Sequence, residues 1–410
     1  MLQQDRWRSL PDDIIAKIIS HLDLVHRPGY LYTITISATT FIVHFFDHCR
    51  PLDVTFNISE FWKILDNLFT LFTTPSIDTF NIYLHPALYD EPCARPILNS
   101  WARRLRARNI QRFAIEDAIK DRLCPPTPSV FQIQSLVSLY LSYTKFVSQH
   151  PTIILPNLKR LRLVSVNHGF LGRLLSSCPS LEDLSFSLND KPTGKNSSVS
   201  ISSKTLKRLS ITLDISRVSG DVEVIIDAQT LDDLYFNVNS PLQSMRMLGL
   251  ISNLKSIGLA GSVSMTMIYR SPSKTIFPFV TELTLSVSSS EVFEQHMLPY
   301  YFPNLERLVL YFCFSYNNDW DIKGRFVLVE YVKHLQLRMD YFRLNQRTLN
   351  FLTWLLTSAP NLEKLFIDGF GSTSTLFNDD FLDKDQFYEN LLNCAEDTSC
   401  CEIEFCYERY

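Results

Sequence analysis

Glycine is scarce in this chain, 11 residues in 410, which argues against the Gly-rich loops that cradle phosphates. It contains no Walker loop, no Gly-x-Ser-x-Gly nucleophile turn and no Cys with a convincing His partner. Nine cysteines are scattered without a single CxxC pair: Cys49, Cys93, Cys124, Cys178, Cys313, Cys394, Cys400, Cys401 and Cys406. The odd count, behind an N-terminus (Met1-Leu2-Gln3-Gln4-Asp5-Arg6) without a signal-peptide pattern, points to reduced thiols in the cytoplasm, the nucleus or both. Net charge is only −4, so there is no global drive towards nucleic acid or an acidic membrane. The stretch from Gly29 to Phe46 has no Asp, Glu, Lys or Arg and approaches the length of a membrane span. Its Thr33, Thr35, Ser37, Thr39, Thr40 and His44, in a Thr/Ile alternation, read instead as strand.

Against these absences stands a recurring phrase: leucine, two residues, leucine, one residue, leucine. Its clearest copies are Leu158/Leu161/Leu163, Leu181/Leu184/Phe186, Leu206/Leu209/Ile211 and Leu231/Leu234/Phe236. Leu254/Ile257/Leu259, Val280/Leu283/Leu285, Leu305/Leu308/Leu310, Val332/Leu335/Leu337 and Leu362/Leu365/Ile367 follow, and Leu136/Leu139/Leu141, Ile110/Phe113/Ile115 and Ile77/Phe80/Ile82 are looser earlier copies. From Leu158 onward the first positions are spaced 23, 25, 25, 23, 26, 25, 27 and 30 residues apart. A period in the 20s is the mark of a leucine-rich-repeat solenoid, an α/β horseshoe. Its long concave surface is typically a protein-binding surface.

One repeat explains the rest. In Pro156-Asn157-Leu158-Lys159-Arg160-Leu161-Arg162-Leu163, Leu161 and Leu163 alternate with Arg162 at strand spacing. Leu158 turns the chain into the strand, while Lys159 and Arg160 sit on the bend in water. A single strand cannot bury its apolar side, but stacked strands form a parallel sheet over one column of leucines. Each buried Leu contributes roughly 1.5–3 kcal/mol, so a dozen copies need no cofactor. Between strands, Phe170 to Cys178 reads as a short amphipathic helix ended by Pro179, and Gln346 to Ser358 as a longer one stopped by Pro360. Asp190 to Ser200, rich in Ser, Gly and Lys, reads as an exposed loop. Outward positions such as Arg162, Ser185, Ser210 and Tyr235 are the places where a partner would be touched, although each is equally explained by solubility.

The second motif is Ser9-Leu10-Pro11-Asp12-Asp13-Ile14-Ile15-Ala16-Lys17-Ile18-Ile19-Ser20-His21-Leu22. Ser9 and Pro11 favour a helix start, and Asp12 and Asp13 lie where the helix dipole favours anions. Ile14, Ile15, Ile18, Ile19 and Leu22 form an apolar stripe at helical spacing. So short a helix is marginal alone and must pack on something.

This segment resembles the first helix of an F-box, whose pattern is Leu-Pro-x-x-Leu/Ile-Leu/Ile-x-x-Ile-Leu/Ile-x-x-Leu. Coupled to the repeats, the chain resembles plant F-box proteins with leucine-rich repeats, of the FBD-associated kind. Further segments carry the likeness: Trp101 to Ile115 with Arg108-Asn109-Ile110-Gln111-Arg112-Phe113; Leu136-Val137-Ser138-Leu139; Leu174 to Leu184; and Ile226-Asp227-Ala228-Gln229-Thr230-Leu231. The resemblance implies a substrate-recognition subunit of an SCF ubiquitin ligase. A Skp-type adaptor, leading to the cullin ligase core, would meet Leu10, Pro11, Ile14, Ile15, Ile18 and Leu22, and the repeats would take an unknown target protein. Those six residues have a second use open to them, as a cap packed onto the first repeats. The family pattern continues with two more helices and a Ser-Lys-Arg-Trp-Arg phrase, which residues 24–50 lack. The expected organisation is a partial F-box over 5–23, an atypical insert or replaced segment over 24–50, repeats over 51–370 and a C-terminal cap or tail over 371–410. A scaffold that no longer binds the adaptor is the alternative.

Other residues that could carry chemistry are weaker. His44 and His48 stand four apart before Cys49, a spacing that holds a metal only on a helix, and they read as a packed or solvated pair. Arg103, Arg104, Arg106, Arg108 and Arg112 read as the solvated face of an amphipathic helix rather than a nucleic-acid patch. Glu363 and Asp368, and the acids Asp379, Asp380, Asp383 and Asp385, could do acid–base work only if held in a cleft with altered pKa values, and Asn378 to Asp385 reads as an exposed acidic loop. Cys394, Cys400, Cys401 and Cys406, in a polar tail, fit no common zinc spacing. No metal, cofactor, membrane or nucleic acid is expected.

Overall fold

The computed structural model describes residues 30–36, 40–47, 63, 66, 67, 69, 70, 77–84, 94–117, 128–142, 152–166, 168–188, 197–213, 222–238, 244–247, 253–261, 276–287, 298–313, 332–340, 344–371, 383–398 and 401–409. They belong to two compact units, Met1–Asp190 and Lys191–Tyr410.

The first unit is built on seven strands hydrogen-bonded in chain order. These are β1 (Tyr30–Ile36), β2 (Thr40–Asp47), β3 (Thr79–Leu84), β4 (Arg112–Asp117), β5 (Ser138–Leu141), β6 (Arg160–Val166) and β7 (Asp183–Leu188). From β2 onward every pairing is parallel. The register puts Phe80, Phe113, Leu139, Leu161 and Leu184 in one column and Ile82, Ile115, Leu141, Leu163 and Phe186 in the next, all buried. Ile110, Leu136, Leu158 and Leu181, the first positions of the phrase, are buried on the bends before the strands. The chain returns through α1 (Ala94–Arg106), a 3-10 helix (Pro128–Gln132) and α2 (His168–Ser176). The helix expected before Pro179 is therefore present. The uncharged Gly29–Phe46 stretch supplies β1 and most of β2, an antiparallel hairpin with Tyr30 opposite Asp47. Among the described residues no helix is long and apolar enough to cross a membrane.

Around α1 the arginine run behaves less uniformly than its sequence implies. Arg103, Arg106 and Arg112 are exposed. Arg104 instead turns to Asp66 (3.7 Å) and donates to Thr70 Oγ1 at 2.6 Å. The Arg108 guanidinium lies 5.3 Å from the centroid of the Phe69 ring. Burial, aided by the Arg104 charge, lowers its pKa from the ordinary value. The reason is Trp101: fully buried between Phe69 and Phe80, it donates its indole N–H to Asp66. That bond brings acid and aromatic within reach of the run. Asn109, in the left-handed region at φ 52°, turns the chain from α1 towards β4, a conformation that Asn tolerates better than most side chains.

In the second unit, eight strands form one parallel sheet: β9 (Arg208–Leu213), β11 (Asp233–Val238), β13 (Ser256–Gly261), β14 (Glu282–Val287), β15 (Arg307–Cys313), β16 (His334–Asp340), β17 (Lys364–Gly371) and β18 (Glu402–Arg409). Leu209, Leu234, Ile257, Leu283, Leu308, Leu335, Leu365 and Ile403 stack in register as its inner column. The remaining strands, β8 (Ser197–Ser202), β10 (Val222–Asp227) and β12 (Ser244–Met247), form a separate three-stranded parallel sheet. This corrects the loop expected over Asp190–Ser200 at its end, Ser197–Ser200; residues 190–196 lie outside the described residues. Ser and Gly content masked a period of two, and Val199 and Ile201 are buried against Val224 and Ile226, their partners in register. Helices α3 (Leu298–Tyr301), α4 (Gln346–Thr357) and α5 (Lys384–Thr398) complete the returns. Asn345 caps α4 by accepting from the Thr348 N–H at 2.9 Å.

Coil is tied to coil at the bends. The Lys159 carbonyl accepts both the Glu182 and Asp183 N–H groups, and the carbonyls of Lys207, Asp232, Lys255, Thr281, Glu306 and Lys333 do the same for the next coil. Side chains add to this: Asn157, Asn253 and Asn304 donate to Gln134, Gln229 and Pro278 carbonyls, one coil earlier. Charges on the bend column alternate in sign, with Lys159–Glu182 at 3.4 Å, Asp232–Lys255 at 3.9 Å and Glu306–Lys333 at 3.7 Å.

Leu234→Ala should lower stability by about 2–5 kcal/mol, whereas Ser210→Ala, one coil away but facing out, should change it by less than about 0.5 kcal/mol. Denaturant midpoints of the two variants check this; equal shifts would contradict the inside–outside assignment.

Candidate functional site

Every second side chain of a strand that buries its leucines must point away from them. In the first unit the central outward row runs Asn81, Ala114, Tyr140, Arg162, Ser185, and in the second Ser210, Tyr235, Gly258, Thr284, Val309, Gln336, Phe366, Glu404. All four positions picked from the sequence lie on these rows. Arg162 and Ser185 are register neighbours, as are Ser210 and Tyr235. Arg162 stands over the Tyr140 ring, 4.8 Å from its centroid, an attraction between cation and ring face. Tyr235 keeps 39% of its surface exposed and rests its ring edge against Gly258. A Cβ at that spot would lie inside van der Waals contact of Tyr235 Cδ2, so any other residue there must displace the ring.

The sequence did not reveal a cavity of about 410 Å³ on the outward face across β15 to β18. Its walls are Arg307, His334 and Lys364 at the strand starts, Gln336 and Phe366 at the centre, Arg338 further along, and Glu402 and Glu404 on β18. The floor includes Leu335 and Leu365 of the inner column. These residues come from four coils and span nearly a hundred positions, so no local motif announces them; only the repeat register aligns them. Neighbouring acids lie against these basic side chains. Lys364 meets Glu402 at 2.7 Å, Arg307 meets Glu282 at 3.9 Å, and His334 lies 3.8 Å from Glu363. The hydrogen bond to Glu402, and its charge, raise the Lys364 pKa. Arg338 lies over the Tyr311 ring, donates to its hydroxyl and sits 3.5 Å from Asp368. Exposed pairs of this kind are worth about 0–1 kcal/mol, so they exchange partners at little cost.

Of the carboxylates singled out in the sequence, Glu363 and Asp368 are thus engaged in ion pairs, and Asp385 lies in the first turn of α5 rather than in a loop. His44 lies on β2, whereas His48, Cys49, Asp379 and Asp380 are outside the described residues, as are the adaptor positions Leu10, Pro11, Ile14, Ile15, Ile18 and Leu22. Burial pushes the Cys178 thiol up to about 12 and, with the Glu402 charge adding to it, the Cys401 thiol to about 11. Both therefore stay protonated and unreactive at neutral pH. Among the described residues no group of three or more His, Cys, Asp or Glu could hold a metal ion. Cys401 and the exposed Cys406 border β18 or lie on it, in an ordered coil rather than a polar tail.

Residues 98–310 match the family model described as FBD-associated F-box protein At5g56370, LRR repeats. The F-box/FBD/LRR-repeat protein At5g22670 of Arabidopsis thaliana is 26% identical over 372 residues, 83% of this chain and 79% of that protein. The FBD-associated F-box protein At4g10400 of the same plant is 27% identical over 55% of this chain and 54% of its own length. A third Arabidopsis thaliana protein, the F-box/FBD/LRR-repeat protein At5g25850, is 27% identical over 61% of this chain and 50% of its own. The chain therefore spans about half the length of the last two.

Gly258→Ala should cost about 1 kcal/mol by forcing the Tyr235 ring off its rotamer. In a Tyr235→Ala background the same change should be neutral or stabilising, since Ala suits a strand better than Gly. A double-mutant cycle on unfolding free energies tests the pair, and simple additivity would refute the contact.

Proposed function

The chain belongs to the leucine-rich-repeat family of FBD-associated F-box proteins, and from that premise we propose that it is a substrate-recognition subunit of an SCF-type ubiquitin ligase. In this reading the segment over 5–23 is a partial F-box whose Leu10, Pro11, Ile14, Ile15, Ile18 and Leu22 grip a Skp-type adaptor. The repeats over 51–370 hold a target protein on their outward face, and residues 371–410 close the array. The chain does no chemistry itself. It converts the encounter of target and ligase core into an intramolecular one, raising their effective concentration, while other subunits transfer ubiquitin. It works in the cytoplasm, the nucleus or both. The observation that carries the reading is the match of residues 98–310, more than half the chain, to repeats from an F-box protein.

A second reading has its own support. Where the F-box pattern calls for two more helices, residues 30–36 and 40–47 form the antiparallel β1–β2 pair, and β2 pairs in parallel with β3. A segment committed to that ladder is not free to complete an F-box, which favours a repeat scaffold that has lost the adaptor.

Co-purification of the intact chain with a Skp-type adaptor separates the two. Binding is expected, and its absence from intact cells would favour the scaffold. Ile14→Asp with Ile18→Asp should abolish adaptor capture, because unpaired charge in an apolar contact is costly. Undiminished capture by that variant would refute the assignment of the helix.

A further inference from the structure

The cavity across β15 to β18 has a polarity that a simple anion site would lack. Arg307 and Lys364 bring positive charge to β15 and β17 with His334 between them on β16, an aromatic side chain (Phe366) stands on β17 opposite Glu404, and two carboxylates close the far side on β18 (Glu402, Glu404). All lie on the outward face in consecutive register: Arg307 opposite His334, His334 opposite Lys364, Lys364 opposite Glu402. Adjacent strands are about 4.8 Å apart, so β15 to β18 covers about 14 Å, which an extended chain at about 3.3 Å per residue crosses in four steps.

Building on the reading that this face holds the target, we infer that the cavity is a recognition site for an extended target segment of the pattern acid–x–apolar–x–base. The acid lies against Arg307, His334 and Lys364, the apolar side chain packs on the Phe366 ring, and the base meets Glu402 and Glu404. The Lys364–Glu402 pair opens at little cost, since both side chains are more than half exposed; the incoming acid takes the place of Glu402 on Lys364, and the incoming base takes the place of Lys364 on Glu402. A wholly acidic segment gains at one end and is repelled by the β18 carboxylates at the other. A wholly basic one meets the converse. The span from end to end also exceeds what a compact small acid reaches, which favours a peptide.

Fluorescein-labelled peptides with the cores Asp-Ala-Leu-Ala-Lys, Asp-Ala-Leu-Ala-Asp and Lys-Ala-Leu-Ala-Lys, titrated against the intact chain by anisotropy, test the site. The mixed core should bind saturably and the other two at least tenfold more weakly. Glu402→Lys with Glu404→Lys should invert the preference towards the all-acid core, and Glu402→Gln with Glu404→Gln should erase the advantage of the mixed one. No saturable binding of the mixed core, equal binding of all three, or unchanged preference in the Lys variant would overturn the inference, as would complete displacement by N-acetylaspartate at the affinity of the peptide. The ligase reading is separated by adaptor co-purification with the same variants. Peptide selectivity without adaptor capture leaves the site standing and removes the ligase role; adaptor capture without selectivity does the reverse.

Discussion

Everything here hangs on a carbonyl that serves two masters. At each bend one backbone oxygen, such as that of Lys159, Asp232 or Glu306, accepts consecutive N–H groups from the following coil. That fixes where the next strand begins to within a residue. Because side chains alternate with a period of two, a slip of one residue would move every leucine from the core to the water. The doubled hydrogen bond and the leucine column enforce the same register, and neither would suffice alone.

Once register is fixed, distance along the chain ceases to matter. Arg307 and Glu402 are almost a hundred residues apart, yet both belong to one column and line one cavity. Exposed outward residues such as Arg162 or Glu404 can vary at little cost in stability, since the coil is held by its bend and its inner column. An interaction surface built this way is free to be respecified position by position, as the proposed role in target recognition requires.

What could be read beforehand was whatever repeats. The leucine phrase gave the strands, their direction and which side is buried, because the physical cause, burial at period two, is local to eight residues. Helices α2 and α4 were legible for the same reason, their apolar spacing being closed by Pro179 and Pro360. Strand β8 was not, because composition was weighed over alternation: Ser197–Ser202 is rich in Ser and still buries Val199 and Ile201. The half-buried place of Arg108 is not legible in its own run, because its environment depends on Phe69, some forty residues away. The cavity is the extreme case, a property of eight side chains that no window of the sequence contains together.

The alternating charges at the bends carry a consequence for ancestry. Lys207, Asp232 and Lys255 follow one another, as do Glu306, Lys333 and Glu363. Excising the one coil that bears Asp232 would bring two ammonium groups side by side, and losing the coil of Lys333 would do so for two carboxylates. Deleting two adjacent coils preserves the sequence of signs. Within these stretches the array therefore has a parity, and lineages that lengthen or shorten it are steered towards gaining or shedding coils in pairs.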